Sequence, residues 1–441
     1  MDRRIVQIDT GQTGVMMILL LIFLYGIIPG IQFTLFMVDL PFFGVMDSVN
    51  YFLSIFSYYF ILNHILITIK LPFLQRHFPY DRMVKFHAVS GTLIIISIYW
   101  HAFYKLIIGK EIVFLSWLIF VLFTLLYLSA ILWIDAPGVR HVRRRILKWI
   151  GRDSLARYDQ LKSVHGYAFL LLGFLGYLHI RDAGLTDSSY AFASIYPLIH
   201  LLLVGFLVLY SRLRKIWLPR LELQNNQRIH DVSILTFVPK GAKRITYRAG
   251  QFGYIRWKTP GLPSEEHPFS FLSCPSDPEI SLGIKVLGDF TETTANVQVG
   301  SIAQINGGFG NFIPDYSKGK ICLIGSGIGI VPILSLLRDM KNHQPENSVQ
   351  CFLAVNTRED LLIGDEIEKI VAMTPNLNIR TLVYQEDGIL YSTDFFKEAI
   401  VSPKDYTYYL CSSMPVRAIV LNALNELGVP HHHFHFEAFS Y

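Results

Sequence analysis

Four histidines carry the chemistry that the first half of this chain can do. His87 and His101 lie in one apolar stretch, His165 and His179 in another, and each couple is separated by 14 positions. At about 100° per residue that interval returns a helix to nearly the same face, and at about 1.5 Å per residue it covers roughly 21 Å. A histidine inside a long apolar helix is costly unless it is bonded or ligates a metal. Two couples at one spacing on two helices let each imidazole meet an imidazole opposite. Facing imidazoles can supply both axial ligands of a haem iron, so the pattern predicts two b-type haems, one held by His87 and His165, the other by His101 and His179. His64 and His200 stand alone in their stretches, and the sequence assigns them no role.

The elements that must position these residues are membrane spans. A spanning helix needs about 20 mainly apolar residues, and six stretches qualify: approximately 15–38, 51–71, 86–108, 112–134, 161–180 and 192–213. The first is too long, and lacks the small-residue cleavage site, to be a removable signal. Pro29 is expected to kink it rather than end it. Arg3 and Arg4 precede the first span, and Lys70, Arg76, Arg82 and Lys85 follow the second. Arg140, Arg143, Arg144, Arg145, Lys148, Arg152, Arg157 and Lys162 follow the fourth. The opposite connections hold Asp39, Asp47, Glu111, Asp182 and Asp187 against Lys105, Lys110 and Arg181. By the positive-inside rule both termini and the second half are cytoplasmic. The third and fifth spans then run the same way, with His87 and His165 near the inner leaflet and His101 and His179 near the outer. The basic segment 135–157 has the character of an amphipathic interfacial helix.

Composition agrees. Of 441 residues 52% are hydrophobic and 17% charged, with a mean hydropathy of +0.38, more apolar than a soluble domain usually is. The net charge of +5 reflects basic residues beside the apolar stretches, which excludes a nucleic-acid surface and implies lipid as surroundings. Cys274, Cys322, Cys351 and Cys411 all lie in the second half and form no CxxC pair, so neither a zinc or iron–sulfur site nor a disulfide framework is expected.

From about 219 to 316 short alternating strands read as a small antiparallel barrel. It contains His267-Pro268-Phe269-Ser270, then Lys285 to Thr291 with Gly288 and Asp289 inside it, then Gly307-Gly308-Phe309-Gly310. Ser270 could bond a flavin ring edge, and backbone amides around Gly288 to Thr291 could hold a pyrophosphate. Taken alone, the first motif also reads as a strand end bounded by proline. From 318 onward strands alternate with helices, the sign of a parallel sheet. The strand 320–325 runs into Gly325, Gly327, Gly329 and Pro332 at the start of a helix, a turn that lets backbone approach a phosphate. Arg358, after the strand 349–355, is placed for a 2′-phosphate or is a solvated loop residue. Cys411 follows the strand 406–410, either where a nicotinamide would lie or as an inert buried thiol. Tyr441 could stack on a flavin, and His431-His432-His433 reads as part of a final strand.

Together these residues resemble the NADPH oxidase and ferric reductase superfamily over nearly the whole chain, most closely the compact bacterial NADPH oxidases. The paired histidines match that family's haem ligands, His267 to Ser270 its flavin motif and Gly325 to Pro332 its nucleotide motif. The second half is similar to plant-type ferredoxin–NADP reductases, with Tyr441 at the position of their flavin-covering tyrosine. The resemblance implies a six-helix transmembrane haem domain (1–217), an FAD-binding β-barrel (218–316) and an α/β NAD(P)H-binding domain (317–441). The implied activity passes electrons from cytoplasmic NADPH, or NADH, through FAD and two haems b to O₂ outside, giving superoxide, with no obligatory protein partner. The alternatives are a ferric or cupric chelate reductase, or an electron-transfer subunit feeding a quinone or an external partner. Two departures stand out: the family's Cys-Gly-Pro is Cys411-Ser412-Ser413 here, and Lys105 occupies a position where animal oxidases carry a histidine associated with oxygen.

Overall fold

A backbone surrounded by apolar side chains must satisfy its own polar groups, and the first half does so by coiling into long helices. The computed structural model describes residues 12–39, 44–69, 80–132, 139, 141–143, 145, 158–182, 191–317, 319–388 and 391–437. The chain divides into two units, Met1–Arg214 and Lys215–Tyr441.

The first unit opens with α1 (Gln12–Ile22), a π-helical turn (Phe23–Ile27) and α2 (Ile28–Asp39), which form one continuous rod. The expected disturbance at Pro29 takes the form of this π turn. Pro29 has no N–H to give, and the Leu24 carbonyl one wide turn back accepts instead from the Asn63 side-chain amide. There follow α3 (Val45–Thr68), α4 (Tyr80–Ile107), α5 (Phe114–Leu132), α6 (Tyr158–Asp182) and α7 (Ala191–Ile216). The α3 helix is the most enclosed, with Asn50, Tyr59, Leu62, Asn63 and His64 all buried. Facing outward are large apolar residues such as Val89, Leu93, Phe103, Leu202 and Phe206. That inverts the arrangement of a soluble bundle and suits a lipid surface.

Five of the six expected stretches are long and apolar enough to cross a membrane, judged on length and composition among the described residues: Val15–Val38, Val45–Thr68, Phe86–Ile107, Phe114–Leu132 and Ile195–Ile216. The exception is α6, although it forms a helix of 25 residues. It carries His165, His179, Gly166, Gly173 and Gly176, and these dilute its apolar character. The proposed interfacial helix at 135–157 and the flavin-stacking Tyr441 lie outside the described residues, apart from 139, 141–143 and 145.

The second unit begins with six antiparallel strands, β1 (Arg220–Ile229), β2 (Val232–Pro239), β3 (Phe252–Trp257), β4 (His267–Ser270), β5 (Ile280–Lys285) and β6 (Ile302–Phe309). Their order is β4-β3-β6-β1-β2-β5, and a bridge from Phe271, next to β4, to Leu282 of β5 closes the sheet on itself. Closure removes exposed edges. Leu221, Leu235, Phe237, Trp257, Phe271 and Ile305 fill the interior, and α8 (Asp289–Ala295) follows β5. Next comes a parallel sheet of β7 (Lys320–Ser326), β8 (Val349–Val355), β9 (Leu377–Val383), β10 (Tyr406–Cys411) and β11 (Phe434–Glu437), ordered β11-β10-β7-β8-β9. Its helices are α9 (Ile330–Asp339), α10 (Gly364–Met373), α11 (Tyr384–Asp387), α12 (Thr393–Ala399) and α13 (Met414–Glu426). The three histidines 431–433 form a 3₁₀ turn ahead of β11 rather than part of it. Pro430 sets the extended residue before that turn, and pairing with β10 begins only at Phe434.

The barrel and the parallel sheet share one core, since Ile234, Ala249, Leu272 and Phe312 pack with Val331, Leu334, Leu336 and Leu337 of α9. Arg338 fastens that seam. Its Nε and Nη2 donate to Glu366 of α10 at 3.1 and 2.6 Å, and its Nη1 donates to the Leu272 carbonyl at 3.0 Å. Burial tends to raise the Glu366 carboxyl, but bonds and charge from Arg338 and Lys341 outweigh it and hold the group below its ordinary value. A depressed carboxylate stabilises the fold above its unfolded pKa and loses that contribution as pH falls through the folded one. Arg338→Ala is therefore expected to destabilise this unit by about 1.5–3 kcal/mol at neutral pH, read as a lower urea midpoint for flavin release. The difference from wild type narrows as pH falls below about 4.

Candidate functional site

In the barrel, β4 pairs with β3 so that Ser270 sits opposite Phe252. The Ser270 hydroxyl oxygen is buried and has no hydrogen-bond partner among the described residues. A buried hydroxyl left unpaired is unfavourable by about 1–3 kcal/mol, so this atom calls for a ligand, and a flavin ring edge offers the donors and acceptors to meet it. His267 stacks on Phe290 of α8 at 4.0 Å between centroids, which ties the flavin strand to the turn before α8. Pro268 and Phe269 continue β4 between them. In that turn the Leu287 and Gly288 amides donate to Thr291 Oγ1 at 2.8 and 2.9 Å. The Gly288 amide is thus already taken, contrary to its expected use on a phosphate. The amides of Asp289 and Phe290, first in the helix, have no intrahelical partner. Lys285 pairs with Asp231 at 3.0 Å.

In the parallel sheet β7 is flanked by β10 on one side and β8 on the other. The chain reverses its direction of winding there, and ligands of such sheets bind at that crevice. The turn leaving β7 lies in it. Gly327 has a left-handed φ of +56°, and a Cβ on Gly329 would strike the Cys411 carbonyl. Glycine at 329 is what lets α9 start directly over β10. Gly325 pairs with Cys411 across the strands, and Pro332 lies in the first turn of α9. Burial, followed by the nearby Glu437 carboxylate, pushes the Cys411 thiol well up, and the side chain is fully enclosed. Glu437 closes β11 beside Cys411 and near Gly310 at the end of the flavin barrel. The one local mark of this carboxylate in the sequence is an acid at the exit of the last strand. Arg358 is exposed on a 3₁₀ turn after β8, where its Nε and Nη2 donate to Glu386 at 2.9 and 2.6 Å.

In the first unit α4 and α6 bring the four histidines together as the spacing predicts. Ring centroids of His87 and His165 are 6.2 Å apart, and those of His101 and His179 are 6.3 Å apart. A metal–imidazole bond is about 2.0–2.1 Å, and a ring nitrogen stands roughly 1.1 Å from its centroid, so two imidazoles across one metal have centroids roughly 6.3 Å apart. Both couples fit that arrangement. No group of three or more His, Cys, Asp or Glu side chains converges among the described residues, and a metal with two protein ligands needs a macrocycle for the rest, as a haem provides. His64 has both nitrogens engaged, Nδ1 by the Phe60 carbonyl at 2.7 Å and Nε2 by Ser90 Oγ at 2.8 Å. His200 Nε2 meets Asn63 Oδ1 at 3.0 Å. Lys105 Nζ lies 5.2 Å over the Tyr51 ring.

Comparison with known proteins bears on the second unit. Residues 224–342 match an FAD-binding domain and residues 323–411 an oxidoreductase NAD-binding domain. The second unit is thus a flavin- and nicotinamide-binding oxidoreductase module. It is similar to the ferredoxin–NAD(P)⁺ reductase component of the naphthalene 1,2-dioxygenase system of Pseudomonas putida, at 23% identity over 209 residues, 45% of this chain and 62% of that one. It is also similar to the putative respiratory burst oxidase homolog protein G of Arabidopsis thaliana, at 32% identity over 130 residues, 25% of this chain and 15% of that one. Among solved structures, a flavohemoglobin from Malassezia yamatoensis with bound FAD and haem gives a TM-score of 0.46 at 17% identity, covering 62% of this chain and 74% of that one. The match spans under two-thirds of the first curated relative and a small part of the second. With both domains in order and a respiratory burst oxidase homologue among the relatives, the resemblance to the NADPH oxidase and ferric reductase superfamily holds.

Ser270→Ala removes the buried hydroxyl without breaking a hydrogen bond among the described residues. It is expected to weaken FAD retention about 3- to 10-fold, measured by flavin fluorescence on dilution, with thermal stability of the flavin-free protein unchanged or slightly raised.

Proposed function

We propose that this protein is a transmembrane NAD(P)H oxidase that takes electrons from cytoplasmic NAD(P)H, through FAD and two bis-histidine haems, to O₂ on the other side, giving superoxide. The observation that carries the reading is the pair of imidazole couples at metal-bridging distance on a chain that also has an FAD/NAD(P)H module. In this reading α6 completes a six-helix membrane domain, and the basic residues at 70–85 and 140–162 face the cytoplasm.

Each residue then has a defined task. Gly325, Gly327 and Gly329 admit the nucleotide pyrophosphate to the start of α9. Cys411 and Glu437 border the place for the nicotinamide, and Ser270 holds the flavin edge. FAD supplies the conversion of a two-electron hydride donor into one-electron steps, and haem supplies one-electron carriers. His87 with His165, and His101 with His179, hold those carriers. Outward electron movement from a negative interior is favoured by about 2.3 kcal/mol per elementary charge per 100 mV.

Purified protein reduced anaerobically with NADPH is expected to show b-type absorption bands that vanish when air is admitted, with cytochrome c reduction sensitive to superoxide dismutase. Absence of the bands defeats the haem path. Turnover only with an added ferric chelate, quinone or protein acceptor supports the alternatives, for which the similarity to a dioxygenase reductase component speaks. Nucleotide preference has its own test. A 2′-phosphate binding Arg358 must displace Glu386, so Arg358→Ala is expected to raise KM for NADPH several-fold more than KM for NADH. Equal changes for both nucleotides remove the phosphate role.

A further inference from the structure

The two histidine couples are not held alike. On α3, Ser54 Oγ lies 2.6 Å from the Asn50 backbone carbonyl and 2.5 Å from His101 Nδ1, and Asn50 Oδ1 is 3.2 Å from the same nitrogen. A serine has one proton, and a carbonyl can only accept. The Ser54 proton therefore goes to the Asn50 carbonyl, and its oxygen must accept from His101. Asn50 Oδ1 faces the same nitrogen, while Asn50 Nδ2 is buried without a partner among the described residues. The Ser54 arrangement places the ring proton of His101 on Nδ1 and leaves the lone pair on Nε2, the form in which an imidazole ligates a metal. Opposite, Ser116 Oγ of α5 lies 3.2 Å from His179 Nδ1. In the other couple His87 Nδ1 is buried with no partner among the described residues.

We propose that Ser54, assisted by Asn50, is a positioning residue that fixes the tautomer and orientation of His101, and that it gives the His101/His179 centre a lower reduction potential than it would otherwise have. The inference rests on the two-haem reading above. A hydrogen bond accepted from Nδ1–H makes the imidazole a more basic ligand, and a more basic ligand favours the oxidised, more positively charged metal. A lower potential at this centre favours passing an electron to a weak one-electron acceptor such as dioxygen. Ser54 bonds His101, and His87 Nδ1 has no partner among the described residues, so the effect is expected at one of the two centres. Ser54 would have been hard to find in sequence. It lies 47 positions from His101, and a serine in an apolar helix usually just bonds back to its own turn.

The test is an optical redox titration of the full-length, haem-replete protein in lipid nanodiscs, without nucleotide, so that enzyme turnover plays no part. Wild type is expected to show two b-type components. Ser54→Ala is expected to move one component to higher potential, leave the other in place, and weaken retention of the displaced haem about 10- to 100-fold. Ser54→Thr keeps the hydroxyl and is expected to behave as wild type. His101→Ala identifies the affected component, because it removes the same one. Two components at wild-type potentials in Ser54→Ala, or equal movement of both, overturns the proposal. Should Ser54→Ala fail to fold, Ser54→Cys, a weak acceptor of similar size, takes its place with the same expected rise, and wild-type potentials in that variant overturn the proposal equally. A wild-type protein with no b-type component fails at the two-haem reading, and that result is distinct from a two-haem protein indifferent to residue 54.

Discussion

A neutral imidazole enclosed by hydrocarbon has one nitrogen that must donate and one that must accept, and the first unit is arranged around that demand. His64 is engaged at Nδ1 by the Phe60 carbonyl and at Nε2 by Ser90 Oγ, and His200 is engaged at Nε2 by Asn63. His101 and His179 meet half of it at Nδ1, through side chains of α3 and α5. The α3 helix, the most enclosed, is also polar inside, with Asn50, Ser57, Asn63 and His64 buried and Ser54 half-buried. Such a helix would be unstable in lipid on its own. Surrounded by the other helices, its Asn50 and Ser54 become the supports of His101.

The second unit solves a different problem, bringing two ligands against each other. A closed barrel supplies the strand that bears Ser270, and a parallel sheet supplies the crevice at β7 and β10. Neither could set the distance between flavin and nicotinamide if the two moved independently. They share a core across α9, and the Arg338 clamp joins barrel, α9 and α10 in one network. Close packing of this kind makes the interface stiff. Glu437 and Cys411 then sit at fixed places by the crevice because both end strands of that same sheet.

What could be read from the sequence divides along physical lines. The histidine couples were legible because an interval of 14 residues is a property of one helix, and two helices repeat it. The strands 320–325, 349–355 and 406–410 were legible as apolar runs bounded by glycine or polar turns, and they fall within β7, β8 and β10. Interactions that join distant positions were not. Ser54 with His101, Arg358 with Glu386 and Asn63 with the Leu24 carbonyl depend on which elements become neighbours, and no local pattern records it. The capture of the Gly288 amide by Thr291 was missed for another reason. A threonine three residues into a glycine turn suits a self-capped turn and an open phosphate site equally well. The α6 helix stands between these cases: the very histidines and glycines that make it informative lower its hydropathy below that of its neighbours.

The polar groups near His101 bear on what kind of acceptor this end of the bundle suits. Asp47 accepts from Tyr104 at 3.0 Å, Lys105 rests on Tyr51, and Asn50 and Ser54 are committed to the histidine. Each of these groups has a partner and none is a free charge directed at the histidine. A small neutral molecule needs no such charge, because it reaches the electron by diffusion through apolar surroundings. For an acceptor of that kind, selectivity is set by the driving force at the donor and not by a pocket. In the proposed reading the hydrogen bonds on His101 Nδ1 would act on the electron's energy at the donor.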